Sequence, residues 1–167
     1  MAHRSIEFTL LDVSMKNCLY ELNYQYDNNI LLDEALNIGE WKNFKDPSNN
    51  HVFNHWYYKS IDNGYAKEIV DYFSNKIDVD IRARFFYQKS NWTLPFHKDR
   101  GTQCSINFIL NDTNDKVSFR DGDFSYKCAL LNLQKEHAVV NPKSDRIMMK
   151  LSIFDKPYNE VLKCITA

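Results

Sequence analysis

The sequence predicts a mainly β domain, an antiparallel sandwich or jelly roll with flanking helices, and three observations carry that expectation. From residue 79 onward, short runs rich in Val, Ile, Phe and Tyr follow one another with a period of two, the spacing of side chains on one face of a strand. Most breaks between them carry turn chemistry: Lys89-Ser90-Asn91, Arg100-Gly101, residues 111–115, Asp121-Gly122-Asp123 and Asn141-Pro142. No helical period interrupts the runs, as a parallel α/β arrangement would require.

Element by element, residues 19–26 alternate loosely and predict an edge strand. Residues 31–38 predict a short helix closed by Gly39. Residues 60–75 predict the main helix, because Ile61, Tyr65, Ile69 and Tyr72 recur at three- and four-residue steps. Gly64 costs that helix about 1 kcal/mol relative to Ala. Eight strands follow, at 79–88, 93–99, 103–110, 117–120, 124–128, 129–134, 137–141 and 146–155, with a last short helix in the tail. The main helix is expected to cover one face of the larger sheet.

The 167 residues suit a single domain, in which residues 1–78 pack as a helix-and-strand region on a core over residues 79–155. Hydrophobic residues make up 44% and aromatics 14%, enough for a substantial core. Lys+Arg is 21 against Asp+Glu 22, so no overall positive charge grips a phosphate backbone, and no nucleic-acid partner is expected. The apolar stretch at residues 8–11 is too short for a signal-peptide core, and no run is long enough to span a membrane. Cys18, Cys104, Cys128 and Cys164 lie far apart with no CxxC pair. They are expected to be free, mostly buried thiols in a reducing compartment, the cytoplasm.

The triplet His97-Lys98-Asp99 is the main candidate site. On a strand, residues i and i+2 share a face, so the imidazole and the carboxylate project together. His137 opens the seventh run, which in a jelly roll can lie beside the second. Two His and one carboxylate on one side of a metal leave three positions open, which favours Fe(II) and oxygen chemistry. Arg146 follows nine residues after His137, a fixed cation suited to a dicarboxylate, with Lys150 on the same strand face as a competitor. Asn107, a polar residue amid Ile106, Phe108 and Ile109, suggests an inward hydrogen bond. Trp92 lies in the turn at the rim, where it is a candidate substrate contact. His51 and His55 stand at i and i+4 without an acidic or Cys partner nearby, and read as part of an aromatic-rich segment. The Asp/Asn cluster at 111–115 lacks the glycine and terminal Glu of a calcium loop.

Over residues 80–155, this order of HxD, distal His and following Arg resembles the core of the 2-oxoglutarate/Fe(II)-dependent oxygenases. The likeness is to the prolyl-hydroxylase-like and short phage or bacterial hydroxylase branches. The resemblance implies a double-stranded β-helix of the cupin-like jelly-roll kind. It also implies Fe(II) on His97, Asp99 and His137, and 2-oxoglutarate held through its distal carboxylate by Arg146. The expected activity is O2-dependent hydroxylation of an aliphatic C–H bond of an amino acid, peptidyl residue or small metabolite, with release of succinate and CO2. Tyr87, ten residues before His97, matches a position where such enzymes often set a Tyr hydroxyl against the co-substrate. The pattern departs from the family on the third strand, where Phe108, Ile109 and Leu110 offer no hydroxyl; Ser152 and Thr102 are alternative partners for the carboxylate. Two other readings stay open, a cupin-like metalloenzyme without 2-oxoglutarate and a non-catalytic jelly-roll binding module.

Overall fold

The computed structural model describes residues 17–167; the apolar stretch at 8–11 lies outside them. Their strands form two antiparallel sheets. The larger sheet takes its middle from the segments with the strongest period-two pattern: β4 (Ile81–Gln88), β6 (Cys104–Ile109), β9 (Cys128–Asn132) and β11 (Arg146–Ile153). β1 (Leu19–Glu21), β2 (Lys42–Lys45) and β3 (Val52–Ser60) extend it, in the order β1-β9-β6-β11-β4-β3-β2. The smaller sheet has the order β5-β10-β7-β8, built from β5 (Leu94–His97), β7 (Val117–Phe119), β8 (Gly122–Phe124) and β10 (His137–Val139). This is a double-stranded β-helix, the jelly roll.

The period of two decides what each face of the larger sheet meets. On β11, Ile147, Met149, Leu151 and Ile153 join Phe85 and Ala83 of β4 and Ile106 and Phe108 of β6 in one core. The helix α2 (Gly64–Ile77) closes that core with Ala66, Ile69, Val70, Phe73 and Ile77. The main helix therefore covers the sheet as expected, but its buried stripe is shifted, leaving Tyr72 46% exposed. The alternate residues Arg146, Met148, Lys150 and Ser152 face the smaller sheet, where Val117, Phe119, Leu131 and Leu133 form a second core.

Two helix ends are joined by one side chain. Glu34 of α1 (Asn28–Asn37) accepts from the Tyr65 and Ala66 amides at the start of α2. Gly64 has φ +82°, and a Cβ there would stand 2.6 Å from the Glu34 carboxylate, so glycine permits the contact. At the other end of α1, the buried Lys59 ammonium donates to the carbonyls of Ala35 and Ile38, serving the unpaired acceptors of a helix C-terminus. The tail forms α3 (Tyr158–Thr166), which buries Tyr158 and Val161.

Within residues 17–78, α1 and α2 pack on the core, while β1 and β3 join the larger sheet by pairing with β9 and β4. Two expectations are corrected. The expected edge strand at 19–26 ends at Glu21, and the strand expected at 124–128 is displaced to β8, hairpinned onto β7. All four cysteines are free, as expected, with Cys18, Cys104 and Cys128 buried.

Candidate metal centre

β5 and β10 are neighbours, and their register makes His97 and His137 direct Cα partners. Each ring is locked by its own backbone. His97 Nδ1 lies 2.7 Å from the Pro95 carbonyl and His137 Nδ1 lies 2.8 Å from that of Lys135. A carbonyl only accepts, so each Nδ1 carries a proton and each ring turns its other nitrogen, Nε2, into the site. Both Nε2 atoms meet the same oxygen, Asp99 Oδ1, at 3.3 Å from His97 and 3.2 Å from His137.

Asp99 lies just past the end of β5 rather than on it, and the loop is held by other means. Its amide donates to Leu133 O, while the Gln134 side-chain amide donates to the carbonyls of Asp99 and Thr102. Gly101, at φ +83°, makes the turn between them. The second carboxylate oxygen, Oδ2, is ion-paired with Lys150 at 3.1 Å. Burial alone would raise the Asp99 carboxyl, but His137, His97 and Lys150 outweigh it and hold the group well below the usual carboxylate range. The Asp99 hydrogen bond holds the His97 imidazole above its ordinary value, against the opposing effect of burial.

These donors fit a divalent ion. Two ligands about 2.1 Å from one ion at right angles stand about 3 Å apart, near the spacings found here. All three donor atoms lie within 4.8 Å of one another. Lone pairs aimed at a carboxylate oxygen repel unless a proton or a cation stands between them, and Lys150 leaves Oδ1 as the oxygen free for a metal. Two imidazoles and one carboxylate on one side favour an octahedral ion with open positions.

Arg146 begins β11 on the face that carries Lys150, four residues and about 13 Å of strand away. It is only 6% exposed. Its Nη2 donates to Tyr126 Oη at 3.0 Å, and its buried Nε has no partner among the described residues. No carboxylate pairs with it among the described residues. A buried guanidinium in this state lacks an anion, so the pocket suits a carboxylate there. Asn107 is buried on the same face, accepting from Ser105 Oγ and donating to Tyr126 Oη, which links it to Arg146 through one hydroxyl. The guanidinium's hydrogen-bond partner is Tyr126.

Tyr87 is corrected. It pairs with Ile147, on the opposite face from Arg146, and its hydroxyl donates to Asp145. The register partner of Arg146 on β4 is the buried Gln88. Trp92 is half exposed and stacks on His55 at 3.9 Å between ring centroids, so it lies on the outside of the β3–β4 ladder's end. His55 belongs to β3, where i and i+4 are not helical neighbours. A crevice of about 480 Å³ bounded by Tyr24, Tyr26, Asn28, Leu110 and Lys127 has no triad residue in its walls.

No protein-family model and no curated protein sequence matches the chain. Solved structures do. The chain is similar to a prolyl-4-hydroxylase from Pseudomonas putida, with TM-score 0.62 and 14% identity over 87% of this chain and 97% of that one. It is similar to a viral collagen prolyl hydroxylase from Paramecium bursaria Chlorella virus-1, solved with 2-oxoglutarate, with TM-score 0.55 and 12% identity over 81% and 94%. A third is an oxidoreductase of the 2-oxoglutarate-Fe(II) oxygenase family from Burkholderia pseudomallei, with TM-score 0.52 and 10% identity over 74% and 76%. At these identities the likeness establishes the double-stranded β-helix fold.

Proposed function

We propose that the chain is a 2-oxoglutarate- and Fe(II)-dependent oxygenase that hydroxylates an aliphatic C–H bond of a compact substrate or peptide. In that reaction substrate, 2-oxoglutarate and O2 become hydroxylated product, succinate and CO2. The observation that carries the reading is the convergence of two carbonyl-locked imidazoles on one oxygen of Asp99, with an anion-less buried guanidinium on the facing sheet. The similarity to prolyl hydroxylases and to a 2-oxoglutarate-Fe(II) oxygenase supports it.

The metal would be held by His97 Nε2, His137 Nε2 and Asp99 Oδ1, and iron with 2-oxoglutarate and O2 supplies the oxidising power that breaks the C–H bond. The protein's own part is placement. The Pro95 and Lys135 carbonyls keep the imidazoles in the ligating tautomer. Lys150 occupies Asp99 Oδ2 and so would leave Oδ1 to the metal, and Gln134 anchors the loop. Arg146 and the Tyr126 hydroxyl would grip the distal carboxylate of 2-oxoglutarate, with Asn107 orienting the hydroxyl. The free thiols suit a reducing compartment such as the cytoplasm. No described helix is long and apolar enough to cross a membrane.

Anaerobic addition of Fe(II) and then 2-oxoglutarate is expected to give a weak visible charge-transfer band. Arg146→Ala should abolish the band while leaving Fe(II) binding intact. A band that survives Arg146→Ala would point to a jelly-roll metalloenzyme that holds its ligand another way, and no band at all would sink the oxygenase reading.

A further inference from the structure

Three cations on the inner face of β4 and β11 lack a carboxylate partner among the described residues: Arg82, Arg84 and Arg146. Arg146 is accounted for by the co-substrate. Arg84 is not. It is the direct Cα partner of Lys150, so it lies one strand, about 5 Å, from the residue whose ammonium holds Asp99. Its guanidinium lies over the Tyr58 ring, 4.6 Å from the centroid. A cation–π contact does not use up a guanidinium's N–H groups, whose fork matches a carboxylate.

Among the described residues, the neighbourhood supplies no anion to Arg84. Burial disfavours its charged form, and the like charge of Arg82 adds to the effect, against the opposing influence of Tyr58. With a divalent ion and 2-oxoglutarate in place, the ion's two positive charges offset the two carboxylates. Lys150 and Arg146 then exceed Asp99 by one charge, and Arg82 and Arg84 add two more. This surplus of three positive charges favours a further carboxylate and disfavours a free ammonium. Beyond Arg84 the same face turns apolar. Phe86 is buried, Tyr58 and Trp56 are half-buried, and Phe44 stacks on Trp56 at 4.5 Å.

We propose that Arg84 is the substrate anchor, and that the substrate is a compact carboxylic acid whose amine is blocked or absent, with its apolar body on Tyr58, Phe86 and Trp56. Its status as substrate rests on the oxygenase reading; the binding of an acid at Arg84 does not. An N-acylated amino acid and the C-terminal residue of a peptide share this chemistry.

The probes are N-acetyl-L-leucine and N-acetyl-L-phenylalanine, each against its methyl ester and against the free amino acid, with acetyl-dipeptides to separate a peptide end from a small molecule. Binding is measured by calorimetry on the metal-free protein, and by the shift each probe causes in the Fe(II)–2-oxoglutarate band under anaerobic conditions. The acids should bind, and the esters and free amino acids should bind about tenfold more weakly or worse, the scale of one charge-assisted hydrogen bond. Arg84→Gln should weaken the acids by a similar factor and leave 2-oxoglutarate affinity unchanged, with Arg84→Lys intermediate. Failure of every acid to bind, esters binding as well as acids, or an Arg84→Gln variant that loses 2-oxoglutarate instead would overturn the proposal. If Arg84→Gln does not fold, the acid–ester comparison on the unaltered protein and Arg84→Lys still decide. An absent band with intact acid binding would overturn the oxygenase reading and leave Arg84 as a carboxylate site.

Discussion

His97 and His137 face each other as partners across the β5–β10 ladder, and both aim Nε2 at a single oxygen of Asp99. Because their Nδ1 protons are committed to carbonyls, the space between the three groups is filled either by a second proton or by a metal. A metal binding there must displace that proton, which ties metal affinity to pH in the usual way for histidine ligands.

Metal should stabilise the fold measurably. A divalent ion at about one hundred times its dissociation constant adds about 2.7 kcal/mol when only the folded state binds it. Thermal melts with Mn(II) against a chelator test this. Asp99→Ala should remove the difference, since it deletes the oxygen on which both imidazoles converge; an unchanged metal-induced shift in that variant would place the ion elsewhere.

Gln134 should matter although it touches no metal donor. Its amide bonds the carbonyls of Asp99 and Thr102, so Gln134→Ala frees the loop that carries a ligand. Loss of such a support typically costs about 10- to 100-fold in metal affinity. Competition titration against a fluorescent chelator reads the change.

Tyr126→Phe keeps the ring packing and deletes the hydroxyl that joins Asn107 to Arg146. The expected result is about tenfold weaker 2-oxoglutarate binding with metal affinity unaltered. Equal losses of both would mean that the variant disturbs the core instead.

Acid should loosen the turn before Arg146. Asp145 is held below its ordinary value by the hydrogen bonds from Tyr87 and the Ser90 amide, against burial. Asp115 is lowered too: burial opposes the shift, but the Lys143 and Ser144 amides and the Ser144 and Thr113 hydroxyls prevail. A carboxyl with a depressed folded pKa contributes stability that is present above its unfolded value, near 3.8, and is lost as pH falls through the folded value. Denaturant melts from pH 6 down to 2 should show that loss below about pH 4, and Asp115→Asn with Asp145→Asn should be less stable at pH 6 with a flatter acid limb.

Phe108 is fully buried where β6 meets Tyr24, Tyr26 and Phe73. Phe108→Ala should cost about 3–5 kcal/mol of stability, measured by urea unfolding. A loss below about 1 kcal/mol would mean that the cavity collapses.

The strands that pattern revealed are the runs rich in Ile, Leu, Phe and Met that the two cores bury, with β6, β9 and β11 packed on both faces. β2 and β3 were not legible, because Trp, Tyr, His and Lys crowd both faces of a hairpin whose strand character comes from pairing with β4. The three candidate metal donors could be read from their spacing, and the register brings them together. Tyr87 could not be placed by counting back from His97. Residues 89–93 are irregular and Asn91 takes φ +66°, so alternation on β5 says nothing about which face a β4 residue occupies. Tyr126 sits in the link between β8 and β9, where no local period marks a hydroxyl that folds in beside Arg146.

Among the described residues β2 is the last strand of the large sheet, and one line of its peptide groups faces outward with no described strand to pair with. Such a margin invites another molecule to add a strand and seed fibres. Lys42 and Lys45 stand exposed at its two ends, and Pro47 follows closely. A second copy lining up there would bring ammonium groups together and meet a residue with no amide proton, which discourages self-association at a margin the architecture leaves open.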